Sequence, residues 1–245
     1  MTFVSRAAAF LKNNASPTVF GATKAVYNTL FRPEKYSGEL NFWRMQYLRE
    51  GGVLTNGKYE TIMLQMAKPL TIDDLSGKVV CDFGCGPRGT LTWLSSRSHC
   101  VGIDVLSDRY YDTFPEVIAN NNMTYIKCHE DFIPMQSEVV DVLFTMNALD
   151  HVKYLDTTCG EIARILKPGG YLIGSFNLYE EETVTEPQTL DEGILNKLLF
   201  VHFDQLNVRL APKFEVDFYD GFFDRPVPPN YSGPMILWYV GRKKL

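Results

Sequence analysis

Three glycines follow a short apolar run in the stretch VVCDFGCGPRGTL, residues 79–91, at Gly84, Gly86 and Gly89. The apolar run predicts a buried strand, and the G-x-G-x-x-G spacing allows a tight turn that brings backbone N–H groups close to a ligand. Asp104 lies 20 residues after Gly84, where a carboxylate can accept hydrogen bonds from ribose hydroxyls. We therefore expect an adenosine-containing cofactor at one edge of a parallel sheet.

The residue before this glycine loop narrows the choice of cofactor. Asp82 lies two positions before Gly84. Its negative charge would repel a pyrophosphate and attract a cationic amino-acid group. The carboxylate therefore favours a cofactor with an amino-acid tail over a dinucleotide.

Alternating strand and helix patterns from Lys78 onward must position these residues. Apolar runs predict strands at 78–83, 100–105, 123–128, 138–147 and 170–177. Helical spacing predicts helices at 89–97, at 107–120 with a break at Pro115, at 155–166 and at 190–200. This alternation is typical of a parallel, doubly wound α/β sheet. Two last strands, at 213–223 and 234–244, have no helix between them and are expected to pair antiparallel at a sheet edge.

The beginning of the chain carries a different pattern. Its segments have apolar residues at helical spacing, are rich in aromatic residues, and are separated by prolines and a glycine pair. We predict a helical cap over residues 1–70 and a cofactor-binding domain over residues 71–245. Four residues of this segment could line the acceptor pocket: Tyr36, Trp43, Arg44 and Tyr59. The alternative for each of them is a purely structural role in the cap.

Composition bounds the partners and the compartment. The 245 residues carry 24 Lys and Arg against 29 Asp and Glu, and the scattered basic residues predict no nucleic-acid partner. No apolar stretch approaches the ~20 residues of a membrane span and no signal-peptide pattern is visible, so we expect a cytoplasmic protein without a membrane partner. Five cysteines without CxxC spacing predict buried thiols rather than a zinc site. Nothing in the sequence indicates the oligomeric state.

Several motifs fall in the order found in one enzyme family. DFGCGPRGTLTWL, VGIDVL, FTMNALDHV, EIARILKPGG and TEP occur in this order along the chain. Over about residues 75–245 the chain resembles class I S-adenosylmethionine-dependent methyltransferases, and more narrowly a bacterial branch with GCGPRG and LDHV motifs. The resemblance implies a seven-stranded Rossmann-like sheet with an antiparallel last strand, S-adenosylmethionine as cofactor, and a small-molecule or sugar acceptor.

The resemblance also assigns residues to the cofactor. Asp82 would lie near the methionyl amino group, and Asp104 would bind the ribose. Because His129 stands where the family often has an aspartate, the backbone of His129 and Glu130 would meet the adenine edge. Arg88 is either a solvated residue or a contact to the cofactor carboxylate or an anionic substrate. The expected cofactor-binding residues are Asp82, Gly84, Cys85, Gly86, Arg88, Asp104, Val105, Leu106, His129, Glu130 and Asn147.

A histidine in the NALDHV motif is the candidate catalytic residue. His151 follows the fourth predicted strand, at the sheet edge where the methyl group should lie. Since histidine titrates near neutral pH, His151 could remove the proton of a hydroxyl acceptor, with Asp150 orienting it or facing away. A structural hydrogen bond to the next helix is the alternative. Asp150 alone is not the carboxylate cluster of a metal-assisted enzyme, so no metal site is predicted, although distant residues could complete one.

Three functions stay open at this point. The first is methyl transfer to oxygen of a small molecule or sugar. The second is a protein that binds S-adenosylmethionine without turnover, because binding residues alone do not imply catalysis. The third is a nucleotide-dependent oxidoreductase, which Asp82 and the LKPGG motif argue against.

Overall fold

The computed structural model describes residues 35–213 and 226–245. One seven-stranded sheet runs through these ranges in the order β3-β2-β1-β4-β5-β7-β6. Its strands are β1 (Val79–Phe83), β2 (His99–Asp104), β3 (Thr124–Lys127), β4 (Val140–Met146), β5 (Leu166–Leu178), β6 (Phe203–Pro212) and β7 (Met235–Lys243). Strands β1 to β5 pair in parallel, and β7 is antiparallel to both neighbours, β5 and β6. The predicted Rossmann-like sheet with an antiparallel last strand is confirmed.

Helices lie between the parallel strands and ahead of the sheet. They are α1 (Lys35–Arg49), α2 (Tyr59–Ala67), α3 (Ile72–Leu75), α4 (Ser107–Thr113), α5 (Pro115–Asn120), α6 (Leu155–Ile165) and α7 (Glu192–Leu198). Single 3₁₀ turns occupy Thr92–Leu94, Leu149–His151 and Phe200–His202. The predicted break at Pro115 is confirmed, because Pro115 begins α5 directly after α4 has ended.

The sheet is buried on both faces, as the nearly continuous apolar runs of its parallel strands require. Successive side chains of a strand point to opposite faces, so Val80 and Cys81 of β1 belong to different core clusters. On the Val80 face, α2 contributes the fully buried Met63. On the Cys81 face, α6 contributes Ile162. The outer layers therefore hold the carboxyl ends of β1, β2 and β4 at one rigid edge.

The helix predicted at 89–97 is wrong. Only the 3₁₀ turn Thr92–Leu94 forms there. The hydroxyl of Thr92 donates to the carbonyl of Asn121, and that of Ser95 donates to the carbonyl of Thr92. Such side-chain bonds to the backbone compete with a regular helix. As a consequence, no helix N-terminus follows the glycine loop to attract an anion.

The antiparallel pair at the end of the sheet is formed by a strand that the pattern did not predict. Strand β7 pairs with β6, and β6 is the edge strand. The exposed residues Asp204, Gln205 and Leu206 break the apolar pattern of β6, because an edge strand here leaves part of its length in solvent. Past Lys213, the strand predicted at 213–223 lies outside the described residues. The predicted helical segments before residue 35 lie outside them too.

Two smaller expectations can be compared with the described residues. All five cysteines are free and buried, as predicted. Across residues 35–213 and 226–245, none of the helices combines the length and the apolar character needed to cross a lipid bilayer.

Candidate active site

The glycine loop continues directly from β1 and packs tightly on both sides. Gly84 and Gly86 have φ angles of +73° and +56°, which L side chains rarely adopt. A Cβ at Gly84 would collide with the Cβ of Ala148, and a Cβ at Gly86 would lie 2.5 Å from the Trp43 ring. Glycine is therefore required at both positions, and α1 places the indole of Trp43 directly over the loop.

Asp82 lies in β1 beneath this loop, with one carboxylate oxygen free to take a ligand. Its side chain is 1% exposed. The hydroxyl of Thr90 donates to Oδ2, whereas Oδ1 has no hydrogen-bond partner among the described residues. Burial raises the pKa of Asp82 to about 7. A buried carboxylate with an open oxygen is suited to an ammonium group, which supplies both a donor and the opposite charge.

Asp104 ends β2 beside Asp82 and is held by the backbone. The N–H of Gly86 donates to its Oδ2 over 3.0 Å, and the N–H of Leu106 donates to its Oδ1 over 2.9 Å. Burial raises the pKa of Asp104, while these two hydrogen bonds oppose the shift. Each oxygen retains a lone pair, so both can still accept a hydrogen bond from a pair of ribose hydroxyls.

The remaining predicted cofactor residues separate into wall residues and supporting residues. A cavity of about 870 Å³ opens above the carboxyl ends of the strands. Gly86 and Leu106 are not in its wall; they support it through their hydrogen bonds to Asp104. The predicted residues in its wall are Asp82, Gly84, Cys85, Arg88, Asp104, Val105, His129, Glu130 and Asn147. We call the part around Asp82, Gly84 and Asp104 the cofactor half.

Two of these wall residues are bound to the helix that covers the cavity. The Arg88 guanidinium forms an ion pair with Glu50 and donates to the carbonyl of Thr55 over 2.8 Å. Hydrogen bonds from Arg88 lower the pKa of Glu50 to about 2. At the other end of α1, Lys35 Nζ lies 2.6 Å from the Glu130 carboxylate. Charged pairs thus fix both ends of the α1 segment. Several N–H donors of Arg88 are already used in hydrogen bonds to Glu50 and Thr55.

The candidate cap residues are divided by the structure. Trp43 and Tyr59 line the cavity. Tyr36 instead donates to the Glu130 carboxylate, and Arg44 donates to Asn41 on the exposed side of α1. The structure therefore does not bring Tyr36 or Arg44 into the cavity wall.

The other half of the cavity is centred on His151. The 3₁₀ turn after β4 places the imidazole in the cavity wall and buries Asp150 behind it. His151 Nε2 lies 3.9 Å from Asp150 Oδ1 and 3.8 Å from Glu186 Oε1. Burial raises the pKa of Asp150 to about 6, and the charge of His151 opposes the shift. We call Asp150, His151 and Glu186 the acceptor cluster; their ligand atoms lie within 4.8 Å of one another, a spacing that could hold a metal ion.

A loop after β5 brings Glu186 to this cluster. The N–H of Gln188 donates to the carbonyl of Asp150 over 3.2 Å, which fastens the loop to the turn after β4. The hydroxyl of Thr183 accepts from the N–H of Glu186 over 3.0 Å. Sequence reasoning missed the role of Glu186, although the TEP motif that contains it was a visible signal.

A second carboxylate that sequence reasoning missed is Glu39. It lies on α1 and lines the cavity. Burial and then the nearby charge of Asp104 raise the pKa of Glu39 to about 7. The aromatic residues of α1 are visible in the sequence as pocket candidates, whereas no pattern distinguishes Glu39 from a solvent-exposed helix residue.

Comparison with known proteins gives one family match and a likeness in fold. Residues 81–174 match the family described as a methyltransferase domain. No curated protein matches the chain in sequence. The following solved structures resemble this chain but share less than 25% of its sequence, so they indicate a common fold and no more.

Three solved structures illustrate this likeness. A SAM-dependent methyltransferase from Thermotoga maritima is 19% identical with a TM-score of 0.54, over 84% of this chain and 96% of that one. Haemonchus contortus phosphoethanolamine N-methyltransferase 2, solved with S-adenosylhomocysteine, is 15% identical with a TM-score of 0.53. The likeness covers 78% of this chain and 54% of that one. The [4+2]-cyclase SpnF is 16% identical with a TM-score of 0.55, and the likeness covers 78% of this chain and 82% of that one.

Proposed function

We propose that this S-adenosylmethionine-dependent methyltransferase acts on a hydroxyl group of a small-molecule or sugar acceptor. One observation carries the proposal: a single cavity of about 870 Å³ joins the cofactor half to His151. Its volume is in the range typical of small-molecule sites. The methyltransferase-domain match leaves the oxidoreductase alternative without support.

The cofactor half fits the cofactor of this class. The open Oδ1 of Asp82 would receive the methionyl amino group, and the two oxygens of Asp104 would receive the ribose hydroxyls. The tight turn at Gly84 would let the backbone approach the methionyl part. When bound, the sulfonium supplies an activated methyl group.

Residues outside the cofactor half would prepare the acceptor. His151 Nε2 would take the proton of the acceptor hydroxyl, and the carboxylates of Asp150 and Glu186 would stabilise the resulting imidazolium. Trp43 and α1 would cover the cavity and limit the access of water. We propose that α1 belongs to a helical cap over residues 1–70, with the cofactor-binding domain in residues 71–245.

Transfer of a labelled methyl group tests the acceptor class. The protein is incubated with labelled S-adenosylmethionine and an extract of its source organism, which is then fractionated by chemical class. We expect label in the small-molecule or glycan fraction, and less of it when Asp104→Ala replaces the wild type. Label in protein or nucleic acid would contradict the proposed acceptor. No label, with S-adenosylhomocysteine binding confirmed, would favour a binding protein without turnover.

A further inference from the structure

We infer that Asp150, His151 and Glu186 form a binding site for a divalent cation at the acceptor side of the cavity. The inference rests on the proposed function and adds a cofactor to the same site. His151 and Glu186 both line the cavity, so a cation held here would be open to an acceptor. The sequence predicts no metal site, because Asp150 alone is not a carboxylate cluster. Glu186, which completes the cluster, lies 35 residues after His151.

The spacing of the three ligand atoms fits a metal ion. Asp150 Oδ1 and Glu186 Oε1 lie 3.9 and 3.8 Å from His151 Nε2, and one ligand atom from each of the three residues lies within 4.8 Å of the other two. A point equidistant from three atoms spaced in this way lies about 2.0–2.5 Å from each, the range of ligand distances for Mg²⁺, Zn²⁺ and Ca²⁺. No atom would need to move far to coordinate an ion.

A second observation points to a ligand at the same place. Asp150 is 4% exposed, and its Oδ1, the atom that faces His151, has no hydrogen-bond partner in the described part of the chain. A buried carboxylate oxygen without a donor is costly unless a ligand or an ion completes it. A cation at the centre of the cluster would supply that partner and would offset two neighbouring negative charges.

The loop that carries Glu186 is built to present one oxygen to the cluster. Thr183 donates to Glu186 Oε2 over 3.3 Å, which leaves Oε1 directed at His151. Gln188 fastens the loop through the carbonyls of Asp150 and Val152. The ligand set has one imidazole and two carboxylates, with the remaining coordination positions open to the cavity, as in catalytic rather than structural metal sites.

The cation would change how the acceptor loses its proton. A nitrogen that binds a metal cannot take up a proton, so the base role of His151 belongs to the cation-free protein. In the cation-loaded protein the metal would act as a Lewis acid and lower the pKa of a coordinated acceptor hydroxyl, whose proton would pass to solvent water. The two forms use the same Nε2 atom and exclude each other.

Binding of Mn²⁺, followed by electron paramagnetic resonance, tests the site without any methyl acceptor. We expect one saturable Mn²⁺ site in the wild type and an affinity ~10-fold or more weaker in both His151→Gln and Glu186→Gln. Glu182→Gln is the matched control, because Glu182 is exposed in the same loop, and its affinity should equal that of the wild type. Because Glu186 lies in a half-exposed loop, its replacement should leave the fold intact.

The outcomes separate this inference from the proposed function. Absence of saturable Mn²⁺ binding, or binding that both variants retain, overturns the cation site. If labelled methyl groups still reach small molecules in EDTA while Mn²⁺ does not bind, the proposed function stands and the cation site is wrong. If Mn²⁺ binds as expected but no fraction accepts label, the cation site stands and the proposed function fails.

Discussion

The cofactor half takes its two carboxylates from adjacent parallel strands, whereas the acceptor cluster takes its residues from a turn after β4 and a loop after β5. Asp82 and Asp104 are fixed by β1, β2 and the hydrogen bonds of the glycine loop. His151 and Glu186 lie on separate segments, which Gln188 fastens together. The first region is set by local sequence and strand pairing, and the second by a tertiary contact.

This difference predicts a division of labour. A change in the cofactor half should alter the affinity for the cofactor, and a change in the acceptor cluster should slow methyl transfer while leaving the cofactor affinity unchanged. A variant of one region that changes the property assigned to the other would contradict this division.

The largest effect is expected from His151→Gln. Loss of the group that prepares the acceptor hydroxyl should slow methyl transfer by ~100-fold, the lower end of the range for general acid–base catalysis. Calorimetry with S-adenosylhomocysteine should give the wild-type affinity. A parallel loss of cofactor affinity would mean that His151 belongs to the cofactor half.

The next effect is expected from Asp104→Ala. Removal of the carboxylate deletes the proposed ribose contacts and frees the N–H groups of Gly86 and Leu106, so the affinity for S-adenosylmethionine should fall at least ~10-fold, or about 1.4 kcal/mol. Asp112→Ala, an exposed change on neighbouring α4, is the control. Unchanged affinity of Asp104→Ala by calorimetry would remove Asp104 from the ribose site.

A smaller effect follows from the charge of Asp82. Because burial raises its pKa to about 7, the carboxylate is increasingly protonated as the pH falls below 7. An ammonium group binds the ionised form, so affinity for S-adenosylmethionine should fall several-fold between pH 8 and pH 6, with proton release on binding. The pKa of the neighbouring Asp104 is also raised, so both carboxylates could contribute to the pH dependence. The variant Asp82→Asn removes the contribution of Asp82 and shows how large it is. If Asp82→Asn keeps the full pH dependence, Asp82 is not its source.

The smallest effect is expected where α1 is tied to the glycine loop. Arg88 lowers the pKa of Glu50 to about 2, so this pair stabilises the fold above the usual glutamate pKa, and the stabilisation is lost as the pH falls towards 2. The pair is partly solvated, so Glu50→Gln should lower the free energy of unfolding at pH 7 by about 1 kcal/mol or less. Thermal unfolding measures it, with Glu60→Gln as the exposed control.

The same variant also tests the role of Arg88. A guanidinium released from Glu50 would be free to bind the cofactor carboxylate. We expect S-adenosylhomocysteine affinity to change less than twofold, because Arg88 keeps its bond to the carbonyl of Thr55. A tenfold change in either direction would make Arg88 a member of the cofactor half.

The fold and the cofactor half could be predicted because their signals are local. The buried strands β1 and β2 carry nearly continuous apolar runs, and each ends at a carboxylate that the sheet places beside the glycine loop. Strand β6 could not be predicted in the same way, since its exposed residues hide the apolar pattern. The helix predicted at 89–97 does not form, because the hydroxyls of Thr92 and Ser95 donate hydrogen bonds to backbone carbonyls and compete with a regular helix.

The acceptor side could be predicted only in part. His151 was visible because it follows a strand, and it lies in the cavity wall. The TEP motif contains Glu186 but does not indicate that its loop reaches His151, and no pattern marks Glu39 on α1. No spacing in the sequence encodes contacts between segments that meet only in the folded chain.

A crystal structure of the chain with S-adenosylhomocysteine tests the division of the cavity most directly. We expect ribose hydroxyls on Asp104, the amino group on Asp82 Oδ1, and a sulfur atom that faces His151 across the cavity. A cofactor bound elsewhere, or a sulfur atom turned away from His151, would contradict it.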